Sequence, residues 1–546
     1  MIVEPGINEQ FKLLVIEVIR QIENTMAAIE GGDARIGERI REREDYIDNL
    51  KSVIENKCFS VMVGGQPPDK RTADSVRATL TIASNLERIA DFMINILDQM
   101  SHFSAQDFIK RYDYESFFDE LGSAIEGVEA AMAGRDISLA LKICRSEMSL
   151  DKLYKISFER ILKELGSGRN VGDLITTLFI LRYLERAGDS LLNIGEAVIF
   201  SILGDKFKIH EYRVLEETLA SSDISGAIAD VEVESIWGTR SGCRISKVHR
   251  KEGPGKDKEV IFKHGRLRKL AMERENIARW KEIEPGLTPE IVGFQNGSAE
   301  GALLLEYLGG HSFEEIATKG DGEEEKEAYD ALKELLSRVW AKTMKPSKAS
   351  AGYVRQLSER LTETRRLHPY FGSTAKQIGA VRVMSLNEII RRAEDLDAAL
   401  SAPFSVFIHG DFNVNNILYD HREKRIHFID LYRSKESDYL QDVSVFMVSH
   451  FRLPTPDFER RQLINERVLD FYRFATEYAG QMGDASFNAR LTLGLARSFI
   501  TSTRFVAKKD FAKIMYMRGV YFLEKLLGHE GKPWEEFEIP LEAVVF

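Results

Sequence analysis

Ten residues, LERIADFMIN at positions 86–95, return with the same polar skeleton as LERAGDSLLN at positions 184–193. A fixed self-similarity of this kind marks two copies of one supersecondary unit, so it constrains the whole N-terminal half at once. Each copy is preceded by an E-x-x-x-D pair, Glu44/Asp48 in the first and Glu147/Asp151 in the second. From residue 8 to about 207 only Pro67 and Pro68 interrupt the chain, and apolar residues keep a helical period. In the first stretch Phe11, Leu14, Ile16, Val18, Ile19 and Ile22 share one broad face. Glycine-bearing breaks at 31–32, 134 and 166–169 separate expected helices over 8–30, 37–58, 72–102, 114–133, 136–166 and 170–203. Six helices in two sets of three read as paired antiparallel bundles.

Residues four apart lie one turn above each other on a helix. Glu87, Asp91 and Asn95 therefore form one oxygen-rich stripe, and Glu185, Asp189 and Asn193 form its counterpart. Antiparallel packing would bring Glu44/Asp48 beside the first stripe and Glu147/Asp151 beside the second. Gathered carboxylates repel unless cations neutralise them. Arg88 and Arg186 are the cations at hand, one per site. The stripes are thus either multi-metal sites built from oxygen ligands, or solvated faces balanced by ion pairs.

The C-terminal half is organised around FIHGDFNVNNILYDHREKRIHFIDLYRSKESDYLQD, residues 407–442. Residues 404–408 are short and apolar, 409–416 are polar, and 417–419 and 426–429 return to strand-like alternation. Phosphoryl transfer from a nucleotide needs a carboxylate near the attacking hydroxyl and oxygen ligands for Mg²⁺. Asp411 meets the first need; Asn416, five residues on, and Asp430 at a strand end meet the second. That spacing is the one a kinase catalytic loop uses.

Two family resemblances follow from these residues. HGDFNVNN, then FID, then DYLQD resembles the aminoglycoside phosphotransferase / choline kinase branch of the protein-kinase-like fold. The resemblance implies an α+β bilobal half using ATP and Mg²⁺, with Asp411 as catalytic base and Asn416 and Asp430 as metal ligands. It gives His409 and Asp442 the task of bracing the loop. Upstream, Lys263 in VIFK lies on an expected strand where this fold places its phosphate-binding lysine. Glu273 on the following helix (265–283) matches the glutamate that orients that lysine, with Glu275 as its competitor. Gly238 and Gly242 flank a turn that would let backbone amides approach phosphates. ALLLEYL at 302–308 resembles the hinge that meets the base, through Glu306, Tyr307 or Leu308. The metal aspartate departs from the family's usual context, standing in IDLYRS; Arg433 and Lys435 beside it either meet an anionic group or pair with Glu436 and Asp438.

The duplicated half resembles the PhoU family of phosphate-uptake regulators, over about residues 1–210. This implies all-α bundles that bind iron or zinc clusters, manganese being a further candidate. It also implies partners, namely a phosphate transporter's ATPase or a phosphate-sensing histidine kinase. The expected organisation is multidomain: helical bundle 1–212, linker 213–228, small lobe 229–310, and large lobe 311–546. Further helices are expected at 323–345, 385–400, 457–480 and 487–527, with Glu323–Glu325 as a solvated helix start and an aromatic tail packed on the body. The functional expectation is a phosphotransferase acting on a small-molecule hydroxyl and coupled to a phosphate-signalling module. The alternative is a nucleotide-binding regulatory scaffold.

Bulk properties narrow the setting. At 546 residues, length alone suggests about two to four domains. A formal charge of −11 argues against a nucleic-acid partner. Cys58, Cys144 and Cys243 fit no metal spacing and read as reduced thiols. The first ten residues show no basic-then-apolar signal pattern, and no apolar run approaches bilayer length. The expectation is a cytoplasmic protein, reaching a membrane only through partners and open to homodimer formation.

Overall fold

The computed structural model describes residues 5–31, 35–64, 68–204, 209–220, 231–235, 243–250, 259–297, 299–320, 322–371, 376–455 and 457–545. The chain divides into two compact units, Met1–His264 with Gly293–Gln295, and Gly265–Val292 with Asn296–Phe546.

In the first unit the duplication becomes six long helices: α1 (Pro5–Ile29), α2 (Arg35–Val63), α3 (Lys70–Met100), α4 (Glu115–Gly134), α5 (Ile137–Leu165) and α6 (Val171–Leu203). Two of the starts are capped by aspartates. Asp69 accepts from Thr72 N at 2.7 Å and Asp136 from Leu139 N at 3.0 Å, each satisfying a donor that the helix itself leaves unpaired. Gly204, with φ of +79°, ends α6 in the left-handed conformation glycine adopts at no steric cost. On α3 the buried residues Ile82, Leu86, Ile89, Met93 and Ile96 keep the helical period that the sequence displays. Helices α1, α2 and α3 pack on one another, as do α4, α5 and α6, and α3–α6 and α1–α4 contacts join the repeats.

Helix α5 meets α6 across glycines. A Cβ on Gly195 would lie 2.3 Å from Cys144 Sγ and 2.8 Å from the Ala140 carbonyl, and one on Gly188 would lie 3.0 Å from Leu150 Cδ1. Backbones can approach this closely only where the side chain is missing. Cys58 and Cys144 are buried free thiols, and burial pushes Cys144 up to about 12, so it packs as a small apolar side chain.

Where the bundle pattern fades, the chain forms helix α7 (Ile209–Ala220), with Tyr212, Leu215 and Leu219 buried. Strands β1 (Val231–Ser235), β2 (Arg244–Arg250) and β3 (Glu259–Arg266) follow as an antiparallel meander, Val233 opposite Val248 and Ser246 opposite Phe262. Glu211 of α7 pairs with Arg244 of β2 at 2.6 Å.

The second unit combines helices with antiparallel strands. After α8 (Leu267–Ile283) come β4 (Ile291–Asn296), β5 (Glu300–Glu306), β6 (His311–Ser312), α9 (Phe313–Lys319), α10 (Gly322–Thr343) and α11 (Tyr353–Leu367). Next are β7 (Lys376–Ile378), β8 (Val381–Val383), α12 (Leu386–Ala399), β9 (Val406–Ile408), β10 (Ile417–Asp420), β11 (Arg425–Phe428), β12 (Lys435–Ser437) and α13 (Leu440–Phe451). The unit closes with α14 (Phe458–Gln481), α15 (Phe487–Ser502) and α16 (Lys509–Leu527). Strand β10 pairs with both β11 and β6, and β9 pairs with β12.

Two expectations are corrected here. The single helix expected over 487–527 breaks after Ser502, where a short 3-10 turn at Thr503–Phe505 lets α16 fold back on α15. Gly519 permits that approach, since a Cβ there would stand 2.4 Å from Ile500 Cγ1. The acidic start of α10 is not uniformly solvated: Glu325 is fully buried and pairs with Arg460 at 3.1 Å and Arg467 at 3.3 Å. The aromatic tail does bury Phe537, Ile539 and Val544. Among the described residues no helix is long and apolar enough to cross a membrane.

Glycine positions give a direct test of the bundle packing. Gly195→Ala is expected to destabilise by about 1–3 kcal/mol through overpacking against α5. Gly122→Ala, mid-helix with nothing within 4 Å of its added Cβ, should be neutral or stabilising by about 0.5–1 kcal/mol. Thermal melts of the two variants measure this; equal melting temperatures would refute the close α5–α6 approach.

Candidate active site

The site begins where β9 ends. All three residues of this strand are buried, and the next two backbone N–H groups, of His409 and Gly410, need partners. Asp442, in the first turn of α13, supplies both: His409 N donates to its Oδ2 at 2.7 Å and Gly410 N to its Oδ1 at 2.9 Å. Gln441 Nε2 donates to the Gly410 carbonyl at 3.1 Å. Gly410 has φ of +83°, and a Cβ there would stand 2.3 Å from the Arg433 carbonyl oxygen, so only glycine fits the turn. Burial pushes Asp442 up to about 7; the two N–H bonds oppose the rise and the charge of Asp411 adds to it.

His409 is fully buried, and both ring nitrogens are committed to backbone groups. Nε2 lies 3.0 Å from the Ile429 carbonyl and must donate to it, while Nδ1 accepts from Asp411 N at 3.3 Å. Burial lowers its pKa, which favours that neutral form. The ring is therefore a fixed brace between the loop and the end of β11.

Asp411 itself is half-buried. Asn413 Nδ2 donates to Oδ1, and Arg433 Nη1 lies 3.1 Å from Oδ2. Asn416 Nδ2 donates to the Asp411 carbonyl at 2.9 Å, and the Asn416 carbonyl accepts from Ile429 N at 3.0 Å, tying both arms of the hairpin together. Asp430 follows directly, held at φ of +62°, a left-handed conformation rare for a residue with a side chain. Asp411, Asn416 and Asp430 thus sit on one continuous hydrogen-bonded hairpin. Three contacts here were not legible in the sequence: the Arg433 ion pair, the Asn413 amide, and Arg452 Nη2 on Asn413 Oδ1 at 3.2 Å.

The other expected nucleotide-site residues are distributed over both units. Lys263 is buried on β3 opposite Ile245, within the first unit. On α8, Glu273 is buried on the same face as Leu270, Ile277 and Trp280, whereas Glu275 is exposed. Glu306 ends β5 with its N–H committed to the Glu290 carbonyl at 2.9 Å, so a contact from Glu306 falls to its carbonyl. Tyr307 is exposed and Leu308 half-buried. Beyond them Gly310 has φ of +93°, and a Cβ there would stand 2.4 Å from the Tyr419 carbonyl oxygen. Gly238 and Gly242 lie outside the described residues.

The bundle carboxylates come together in part. Burial raises Asp91 to about 6, with Glu87, Asp48 and Glu44 adding to the rise and Lys51 opposing it. Burial and then Asp151 and Asp189 raise Glu147. The charge balance differs from expectation. Glu87 pairs with Lys51 at 3.0 Å and Glu185 with Arg182 at 2.6 Å, while Arg88 lies over the Phe92 ring. Arg186 reaches Asp189 at 3.8 Å. Asn193 turns away to donate to Asn85 at 3.2 Å. Among the described residues no group of three or more His, Cys, Asp or Glu could hold a metal ion. The expectation of Fe, Zn or Mn at Glu44, Asp48, Glu87, Asp91, Glu147, Asp151, Glu185 and Asp189 therefore finds no support in this geometry.

Two family models match the chain. The model of the PhoU domain matches residues 14–100 and 115–198, and that of the phosphotransferase enzyme family (APH) matches residues 238–475. A phosphate-specific transport system accessory protein PhoU homolog of Clostridium acetobutylicum is 27% identical over 197 residues, covering 35% of this chain and 89% of the relative. The crystal structure of PhoU from Pseudomonas aeruginosa is 19% identical with a TM-score of 0.33, covering 37% of this chain and 97% of that one. The crystal structure of aminoglycoside-3'-phosphotransferase of type VIII is 16% identical with a TM-score of 0.35, covering 53% and 97%.

The Asp91 environment predicts a pH signature. Its folded pKa lies above the unfolded carboxylate value, so below that unfolded value the group makes no difference. Stability is lost as pH rises from about 4 through 6 and the carboxylate ionises among its neighbours. Asp91→Asn should therefore raise the melting temperature at pH 7 and flatten the pH dependence between 4 and 6. A variant melting below wild type at pH 7 would show that the Asp91 charge is neutralised in solution.

Proposed function

From a chain that carries PhoU domains in its N-terminal half and an APH phosphotransferase domain in its C-terminal half, we propose an ATP- and Mg²⁺-dependent phosphotransferase acting on a small-molecule hydroxyl. The observation that carries this reading is the hairpin holding Asp411, Asn416 and Asp430 in one hydrogen-bonded frame. In the proposed step the acceptor hydroxyl oxygen forms a bond to the γ-phosphorus of ATP. The bond from that phosphorus to the β–γ bridging oxygen breaks, ADP leaves with the electron pair, and the hydroxyl proton passes to Asp411.

The donor set suits Mg²⁺. Asn416 has its amide nitrogen committed to Asp411, which leaves its amide oxygen as a ligand, and Asp430 adds a carboxylate. Bound there, Mg²⁺ would offset negative charge on the phosphates. Lys263 is proposed to bind phosphate oxygens, and Glu306 and Leu308 to meet the base. The functional divisions proposed are 1–212, 213–228, 229–310 and 311–546. The helical half is read as the regulatory module, answering to a phosphate transporter's ATPase or a phosphate-sensing kinase in the cytoplasm.

Asp411→Asn keeps the size of the side chain and an oxygen for the Asn413 amide, while removing the proton acceptor and the ion pair with Arg433. Turnover measured by ADP release should fall by at least about 100-fold, with nucleotide affinity by calorimetry nearly unchanged. Equal turnover in variant and wild type would end the assignment of Asp411 as base.

A further inference from the structure

Helix α15 carries an arginine whose surroundings do not satisfy it. Arg497 is only 5% exposed, and its Nε and Nη2 are buried without a hydrogen-bond partner. Its guanidinium stands over the Tyr353 ring at 5.6 Å, which leaves the two N–H groups of one edge unused. Those two groups form the fork that meets an oxyanion side-on. Burying such a fork unpaired is costly, so its retention points to a ligand.

Arg497 belongs to a cluster. Arg504, in the turn after α15, also has a buried unpartnered nitrogen, Nη1, and its nearest carboxylate, Glu363, lies 3.7 Å from Nε and is largely exposed. Burial first, with Arg360 and Arg433 adding to it, brings both Arg497 and Arg504 down to about 10 against the pull of Asp411. Partial burial, then Arg355 and Arg497, lower Lys435. Arg360 and Arg433 thus act on both Arg497 and Arg504, and Arg355 and Arg497 act on the exposed Lys435. Of the carboxylates there, Asp411 is paired with Arg433, Asp430 also acts on Arg433, Asp442 is taken up by two backbone N–H groups, the buried Asp397 accepts from Val354 N at 2.8 Å, and Glu359 and Glu363 are exposed.

We propose that the phosphoryl acceptor is itself an anion: a hydroxylated small molecule bearing a phosphate monoester or carboxylate, gripped by Arg497 with Arg360, Arg433, Lys435 and Arg504. This rests on the phosphotransferase reading, because Asp411 marks where the reacting hydroxyl sits. The acceptor's charged group would lie on the C-terminal helices, with its hydroxyl directed at Asp411. Arg433 then has two competing partners. An incoming anion draws it from Asp411 as the hydroxyl arrives, so the base is released when an acceptor is present.

The full chain is tested by thermal shift at constant ionic strength with inorganic phosphate, and with glycerol, glycerate and glycerol phosphate. Phosphate and at least one charged probe should raise the wild-type melting temperature, with glycerol inert; the glycerate and glycerol phosphate arms distinguish carboxylate from phosphate. Saturating Mg²⁺–ADP should leave these shifts in place. Loss of the shift with ADP present would assign the cluster to the nucleotide and overturn the proposal.

Arg497→Met should melt no lower than wild type without anion and lose the anion shift, and Arg497→Lys should recover part of it. Should Arg497→Met fail to fold, Arg504→Met reads the same loss. Equal shifts in wild type and variant, or none in wild type, overturn the anion site whatever the enzyme assay gives. ADP release against neutral, cationic and anionic acceptors is scored separately. Preference for neutral or cationic acceptors overturns the proposal alone, while absence of any turnover alongside an intact anion shift removes the phosphotransferase reading and keeps the anion site.

Discussion

Two consecutive backbone N–H groups ending on one buried carboxylate set the geometry of the C-terminal site. A strand that stops in the interior leaves its next amides without ladder partners, and a buried unpaired amide costs as much as a lost hydrogen bond. Asp442 answers both amides at once, so the loop after β9 can turn only one way. Gly410 then has its left-handed conformation imposed, His409 is pinned against Ile429, and the half-buried Asp411 follows, held by Asn413 and Arg433. Burial holds Asp442 near neutrality in its titration, well above an ordinary carboxylate. The ionised form best suited to hold the loop is the one its surroundings resist, a local expense met by the packing around it.

The same helix shows how a structural arginine differs from one that awaits a ligand. Arg490 and Arg497 stand two turns apart on α15, and both are almost completely buried. Arg490 donates to Asp438 at 2.6 Å and to Asp484, with Tyr439 adding a bond to Asp484 at 2.9 Å. Those carboxylates hold its charge firmly, and the network locks α13 to α15. Arg497 has an aromatic face and no acceptor on two of its nitrogens. Equal burial with unequal satisfaction separates the two roles, since a fold gains nothing from a charge it buries and leaves unpaired.

How much of this was legible depended on how local the signal was. The order His409, Asp411, Asn416, Asp430 sits within one hairpin, so a short stretch of sequence contains nearly all of its geometry. The six bundle helices were legible for a similar reason: long periodic faces bounded by glycine or a capping aspartate. The break between α15 and α16 was not, because TRFVAK carries neither glycine nor proline and the turn is dictated by packing around Gly519. Arg490 was likewise invisible as a buried structural arginine, and Arg497 and Arg504 as site residues. An arginine in an amphipathic helix reads as a surface charge until tertiary contacts show what faces it. Glu325, at the end of the acidic run 323–325, was misread for the same reason.

The duplicated half carries a related lesson about symmetry. Its two stripes share their letters, yet the helices around them distribute charge differently. In the first repeat Glu87 takes its cation from Lys51 on the neighbouring helix; in the second Glu185 takes Arg182 from its own, one turn away. A cross-helix pair ties α2 to α3, whereas an i,i+3 pair leaves α5 and α6 to be held by the close glycine approach. Asn193 has left its stripe to bond Asn85, so the second repeat also contributes to the α3–α6 seam. Asp91 remains crowded by three carboxylates with one lysine to offset them. In the second repeat burial, with Asp151 and Asp189 adding to it, raises Glu147 as well, so both copies hold carboxylates that resist ionisation while their cations come from different helices.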